Sequence, residues 1–476
     1  MSRSLKRPLF AIGGAVGLLL LVALAVSLLV DVNRYKSRLE TAASDALGMD
    51  VRFGGRLGMG LFPGFHVTME DARMLDEHAV AVASARRARL WIDLLPLLRR
   101  EFRLRRIELM EPGLSIERDS EGRVNIERLR KSAALLSALD GASVSVSNGT
   151  IRYADRRSGE AIEATGFRLT VSRLEFKDAK SPGRLTGLSL RAELACDGIR
   201  TKDLSVSALK ASLDGKDGIF ELKPVTMGLF GGEAAGSIRA DFSGPVPLGQ
   251  IRCSLPHFRI EEFLKTLSPE KAAEGAMDFS ASLSMQGRTM AEMVQTMAGE
   301  VSLRGENLTL VGNDLDRRLS RFKSSQNFNL VDVGAVFFAG PLGLAVTKGY
   351  NFASLFKGSG GESRIRALVS DWRVERGVAQ AKDVALATTK NRIALQGGLD
   401  FVNGRFADVT VAAVDARGCA RVRQVIRGSF GKPVVEKPSV LTSLARPVLK
   451  LYRRARRLFP EGPCEVFYSG SVAPPK

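Results

Sequence analysis

The sequence predicts a mainly β protein: an elongated antiparallel sheet curled into a groove, with few helices, preceded by one N-terminal transmembrane helix. Three observations predict it. Residues 9–30 form an uncharged apolar run, long enough as a helix to cross a bilayer of about 30 Å at ~1.5 Å per residue. Beyond it, apolar and polar residues alternate with period two through most of the chain, the mark of strands with one buried face. No Pro/Gly/Ser linker or low-complexity tract separates globular domains, so similar hairpins added to one sheet fit better than separate folds.

The elements follow in order. Arg3, Lys6 and Arg7 precede the apolar run and Asp31 follows it, which puts the N-terminus in the cytoplasm. Ala23-Leu24-Ala25 imitates a signal-peptidase site, but the apolar run continues past it, and an uncleaved anchor is expected. Residues 32–47 predict a stem helix with Tyr35, Leu39, Ala43 and Leu47 on one stripe and Gly48 as its stop. The period then becomes two: Val51 and Phe53, then Phe65, Val67 and Met69 in "LFPGFHVTMEDARM", then "RARLWIDLLPLL" and "IELMEPGLSIERDSEGRVN". A short helix over 125–139 closes this region.

"SVSVSNGTIRY" predicts a hairpin, with Val144 and Val146 on one strand, Ile151 and Tyr153 on the next, and Asn148-Gly149 as a primed turn between them. Further strands present Leu188, Leu190, Ala192 and Leu194; Ile238, Ala240 and Phe242; Met277, Phe279, Ala281, Leu283 and Met285; then Ile393, Leu395, Leu399 and Phe401, before a second Asn-Gly turn. Helices are expected only at 259–267, 290–297, 315–323 and 443–458. The regions are then 1–30 (cytoplasmic N-terminus and anchor), 31–140, 141–245, 246–415 and a basic C-terminal segment, 416–476.

Composition narrows the function. The chain has 476 residues and a formal net charge of +19, which points to anionic partners. The basic residues are scattered rather than gathered with aromatics, which argues against nucleic acid. His66, His78 and His257 lie far apart, and no metal-ligand spacing, P-loop, G-x-S-x-G or dinucleotide fingerprint occurs, so neither catalysis nor a cofactor or metal is expected. Cys419 and Cys464 make a plausible disulfide in an oxidising compartment; four buried small hydrophobes, with Cys196 and Cys253, is the equal alternative. Two further stretches are apolar or basic: residues 331–346, read as strands or a buried loop rather than an interfacial insert, and 443–459, read as a solvated basic helix or a membrane-surface segment.

The layout of anchor, "DVNRYKSRLETAASDALGMDVRFGG", "LFPGFHVTMEDARM" and "IELMEPGLSIERDSEGRVNIERL" resembles the N-terminal region of the AsmA family. The matching positions are Leu47-Gly48, Pro63, and Pro112 through Leu114, Ile116, Arg118, Asp119, Gly122 and Asn125. "LFGGEAAGSIRADFSG", through Phe230, Gly231, Gly232 and Gly236, and the element at Gly312, Asp314 and Leu315 are similar to the family's C-terminal region. The resemblance implies an inner-membrane-anchored protein of the bacterial envelope, mostly periplasmic, acting in outer-membrane biogenesis without catalysis. Larger, TamB-like relatives are thought to carry phospholipids along an apolar β-groove, which implies membrane lipids as partners here.

A diacyl lipid cannot cross water unaided, because its tails expose apolar area at roughly 25 cal/mol per Å². The groove lining expected for such a cargo is Val144, Val146, Leu188, Leu190, Leu194, Ile238, Phe242, Met277, Phe279, Leu283, Ile393, Leu395 and Phe401. The same alternation also builds a closed sandwich core, and whether a second layer covers the apolar face separates the two. The rival function is an envelope assembly factor that captures outer-membrane protein precursors by strand addition and works with outer-membrane assembly components.

Overall fold

Helix α1, Lys36–Leu47, follows a 3-10 turn at Val32–Tyr35 and ends where Gly48 takes the left-handed conformation (φ 71°) that side chains resist. This computed structural model describes residues 32–97, 99, 103–126, 139–176, 187–266, 273–312, 314–317, 319, 360–436, 439–440 and 464–475. The expected anchor at 9–30, most of the helix at 125–139 and the stretches 331–346 and 443–459 lie outside them. Among the described residues no helix is long and apolar enough to cross a membrane. The chain falls into two units, Met1–Val225 and Thr226–Lys476, the division lying inside strand β10, Ile219–Leu229.

The first unit carries strands β1 (Asp50–Phe53), β2 (Leu57–Gly60), β3 (His66–Leu75), β4 (Ala81–Ile92), β5 (Leu104–Arg118), β6 (Ser143–Asp155), β7 (Glu160–Phe176), β8 (Leu188–Arg200) and β9 (Ser205–Lys216). β1 and β2 both pair antiparallel with β3, and each later strand pairs with the next. One junction is parallel: β5 and β6 run the same way, Arg106 opposite Ser143 through Arg118 opposite Asp155.

Asn148-Gly149 is not a hairpin turn. β6 passes straight through it, with Asn148 at φ 54° and the register with β7 shifting there. The left-handed conformation that suits a primed turn suits a bulge equally well. Because β5 and β7 hold β6 on both sides, the chain keeps going. The second Asn-Gly, at Asn403-Gly404, does turn the chain, and Asp400 accepts both the backbone N–H (3.0 Å) and the amide (2.8 Å) of Asn403.

α1 lies against the sheet of its unit in two ways. Ala43 and Leu47 pack on a buried cluster of Val51, Phe53, Leu57, Met69 and Ala88. Its polar side chains also satisfy the outer edge of β1 and β2: Val51 N–H donates to Ser44 Oγ (2.8 Å), Phe53 N–H to Glu40 Oε1 (2.8 Å), and Leu57 N–H to Asn33 Oδ1 of the preceding turn (3.0 Å). That edge therefore offers few donors to another strand.

The second unit carries β11 (Gly232–Asp241), β12 (Leu248–Arg259), β13 (Ala273–Glu274), β14 (Ala276–Gln286), β15 (Ala298–Val311), β16 (Glu362–Glu375), β17 (Val378–Thr388), β18 (Arg392–Asp400), β19 (Arg405–Val414), β20 (Ala420–Ser429), β21 (Lys432–Val435) and β22 (Ser439–Val440). All of its pairings are antiparallel. Among the described residues, α2 (Ile260–Lys265) and α3 (Met290–Thr296) interrupt them and residues 315–317 are helical, at places expected from the sequence.

One face of this sheet is sealed. Met277, Leu368, Leu386 and Ile393 occupy one register line and sit, with Trp372, Leu395, Leu399 and Val411, in a single large core. Against the other face, at Ala385, Ala394 and Ala412, the C-terminal strap packs Tyr468 and Val472. The strap is fastened by a disulfide between Cys419 and Cys464 (Cα–Cα 6.0 Å) and by Asp383, which accepts hydrogen bonds from Tyr468 Oη (2.6 Å) and from the Ser471 hydroxyl (2.6 Å).

Candidate functional site

Strand register in the first unit places apolar residues in rows that cross the strands. The first row is Val67, Leu90, Ile107, Val144, Val171, Ala192 and Leu213. The second is Met69, Ala88, Leu109, Val146, Leu169, Leu194 and Ala211. Between them, on the opposite face, runs Thr68, Arg89, Glu108, Ser145, Thr170, Glu193 and Ser212, polar throughout. The sheet is thus apolar on one face and polar on the other from β3 to β9.

A third row joins Met74, Ala83, Leu114, Ile151, Ala164, Ile199 and Val206. In every strand it stands an odd number of residues from the second row, which in a regular strand means opposite faces. Left-handed residues interrupt the alternation: Asp71 in β3, Glu111 in β5, Asn148 in β6, Gly166 in β7 and Ala208 in β9. A left-handed residue turns the side-chain direction over and bends the strand, and at Asn148 the register with β7 shifts as well. Met69 and Met74 of β3 accordingly belong to the same cluster under α1.

The rows change character along their length. α1 covers them over β3 and β4. Past β4, Ile107, Val144, Val146, Leu169, Leu194 and Leu213 are half-buried, while Val171, Ala192 and Ala211 of the same rows are buried. At about 4.8 Å per strand, the rows extend roughly 30 Å across β3 to β9.

The residues expected to line a groove divide between the units. Val144, Val146 and Leu194 stand in the two rows, and Leu188 and Leu190, also half-buried, continue them toward Phe176 and Leu174. In the second unit Met277, Phe279, Ile393 and Leu395 belong to the sealed core, Leu395 being 2% exposed. Ile238, opposite Ile251, is exposed, and Phe242 is half-buried. Leu283 is half-buried, and Phe401 packs on Phe430 at 5.8 Å between centroids.

A cavity of ≈1000 Å³ opens at the end of β3, β4 and β5, lined by Pro63, Phe65, Trp91, Asp93, Leu94, Arg105, Arg106 and Ser143 among others. Sequence reading missed it. Its signal was Trp91 followed by Leu94 and Leu95 with arginines across the sheet. His66 stacks on Trp91 (5.2 Å) and its Nδ1 lies 2.9 Å from Gly64 O, a packing role. His78 and His257 are exposed, and among the described residues no cluster of His, Cys, Asp or Glu could hold a metal ion.

The motif around "PGLSIERDSEGRVN" builds a turn. Asp119 accepts from the Glu121 and Arg123 N–H groups (2.9 Å each), and Asn125 donates to Ser115 O (2.9 Å) while accepting from Glu117 N–H (3.0 Å). The Arg123 guanidinium holds the Asp119 carboxyl below its ordinary range. The family model for the AsmA family matches residues 1–183 and 184–339. The chain belongs to the AsmA family. No curated protein matches it. The AsmA match spans the whole first unit and reaches β15 of the second; the strap and its disulfide lie beyond it.

Proposed function

We propose that this AsmA-family protein binds phospholipid acyl chains on the open apolar rows of its first unit and passes lipid between the inner and outer membranes. In this reading the apolar run at 9–30 is the inner-membrane anchor, and the described chain is periplasmic. The observation that carries it is the pairing of unbroken apolar rows, half-open past β4, with a wholly polar row on the reverse face. A monomeric sheet has no reason to leave such a strip uncovered unless something apolar occupies it. The second-unit residues Met277, Phe279, Ile393 and Leu395 then serve as core, and the cargo surface is Val144, Val146, Leu169, Leu194 and their row neighbours.

Strand addition finds less support. The Val51, Phe53 and Leu57 N–H groups on the outer edge of β1 and β2 are taken by Ser44, Glu40 and Asn33, so that margin offers a precursor few donors.

The test places a photo-crosslinking residue at Leu194 or at Glu193 of the full-length protein in cells. Lipid adducts at 194 and few at 193 are expected. Equal adducts at both positions, or adducts at 194 to outer-membrane protein precursors alone, would reject lipid carriage.

A further inference from the structure

We infer that the cavity at the end of β3, β4 and β5 docks on the bilayer surface and takes the phosphate of an anionic phospholipid, while its apolar rim sits among the acyl chains. The inference goes beyond lipid carriage: it concerns where the first unit touches the membrane and stands whether or not the rows carry cargo.

The arginines come first. Trp91 faces Arg106 and Ile92 faces Leu104, so Arg105 is an extra residue at a bulge. The bulge brings two consecutive arginines to the same cavity, which regular alternation forbids. Arg106 is fixed, its guanidinium 5.3 Å over the Trp91 ring and bonded to Glu108 at 2.6 Å. Arg105 is exposed and has no ion pair or hydrogen bond among the described residues. Ser143 and Ser172 supply hydroxyls on the wall, and Asp93 is the one carboxylate among the described lining residues. A free guanidinium beside a fixed one, with hydroxyls near, suits a phosphate.

The rim comes second. On a single helical turn, Leu94–Leu97, Leu94 is 53% and Leu95 79% exposed, and Phe62, beside the cavity-lining Pro63, is 88% exposed. Side chains of this kind, presented together beside arginines, are the make-up of an interfacial membrane contact.

Chain direction comes third. β2 runs from Leu57 to Gly60 and leads into the loop with Phe62. The Val32–Tyr35 turn sits at the start of β2, where Asn33 binds Leu57, while α1 runs from there back toward β1. Followed toward the N-terminus, α1 therefore points to the edge that holds the cavity. The apolar run at 9–30 ends just before this turn in sequence, so the inference rests on the proposed reading of that run as the anchor, which would bring the bilayer to the same edge.

The experiment uses the full-length protein in nanodiscs of phosphatidylcholine, with or without phosphatidylglycerol. A photo-crosslinking residue replaces Leu95, Phe62, or the control Val80, an exposed apolar residue at the opposite end of β3 and β4. Lipid adducts are expected at 95 and 62 but not at 80, with phosphatidylglycerol preferred. Arg105→Gln should reduce that preference about fivefold, the equivalent of about 1 kcal/mol for one basic group at an anionic surface, while the adduct itself remains. Equal adducts at 80 and 95, or a preference that survives Arg105→Gln, would overturn the inference. So would loss of the preference in millimolar inorganic phosphate, which would make the cavity a small-anion site. None of these outcomes bears on crosslinking at Leu194.

Discussion

Leu395→Ala and Leu194→Ala remove the same atoms from two faces that alternate identically in sequence. Leu395 lies opposite Val411 in the sealed core of the second unit. Truncating a leucine so placed costs about 3 kcal/mol, because the lost transfer energy is joined by a cavity. Leu194, between Leu169 and Ala211 on a half-open face, leaves no enclosed cavity, and its loss should cost about 1 kcal/mol or less. Each unit carries its own reporter: Trp372 is buried in the same core as Leu395, and Trp91 belongs to the first unit. In urea, with a slope of about 3 kcal/mol per molar, the Trp372 transition should fall by about 1 M in Leu395→Ala. The Trp91 transition should move by about 0.3 M or less in Leu194→Ala. An equal shift for both variants would mean that the first-unit rows are also a sealed core, and open lipid-binding rows would be refuted.

Three further outcomes are expected. Burial works to raise the Asp383 carboxyl, but hydrogen bonds from Ser471 and Tyr468 outweigh it and leave its pKa below the ordinary value. A group depressed on folding stabilises above its unfolded pKa, near 3.9, and that contribution disappears as pH falls through the folded value. Amide protection factors of residues 464–475, corrected for intrinsic exchange, should therefore fall below about pH 4, and in Asp383→Asn this acid-induced loss should be missing. Cys419→Ser should leave the Trp372 transition cooperative while the strap becomes open to limited proteolysis, measured by cleavage within residues 464–475. Glu40→Ala, which frees the Phe53 N–H at the sheet edge, should cost about 1–2 kcal/mol in the Trp91 transition and increase self-association, read by light scattering.

Strand content, α1 with its Gly48 stop, and the sites of α2 and α3 were legible because each depends on local periodicity and caps. The Asn148 reading failed because a primed turn and a bulge ask the same backbone freedom of the same residues, and only the flanking strands β5 and β7 distinguish them. The parallel β5–β6 pair was hidden for a related reason, since alternation records which face is apolar and not strand direction. Openness was hidden too: Leu194 and Leu395 occupy indistinguishable patterns, yet one is half-open and the other is sealed by what packs above it. The arginine pair escaped notice because two adjacent cations share a side only where a bulge breaks the pleat.

The column of left-handed residues at Asp71, Glu111, Asn148, Gly166 and Ala208 works as a crease across the first unit. It also sets a counting rule for any change in chain length. A whole hairpin can be gained or lost without disturbing its neighbours, because the fold points line up at one level across β3, β5, β6, β7 and β9. One residue added or deleted between the crease and the second row would turn half a strand inside out. Length variation in this unit is thus confined to loops and to complete hairpins.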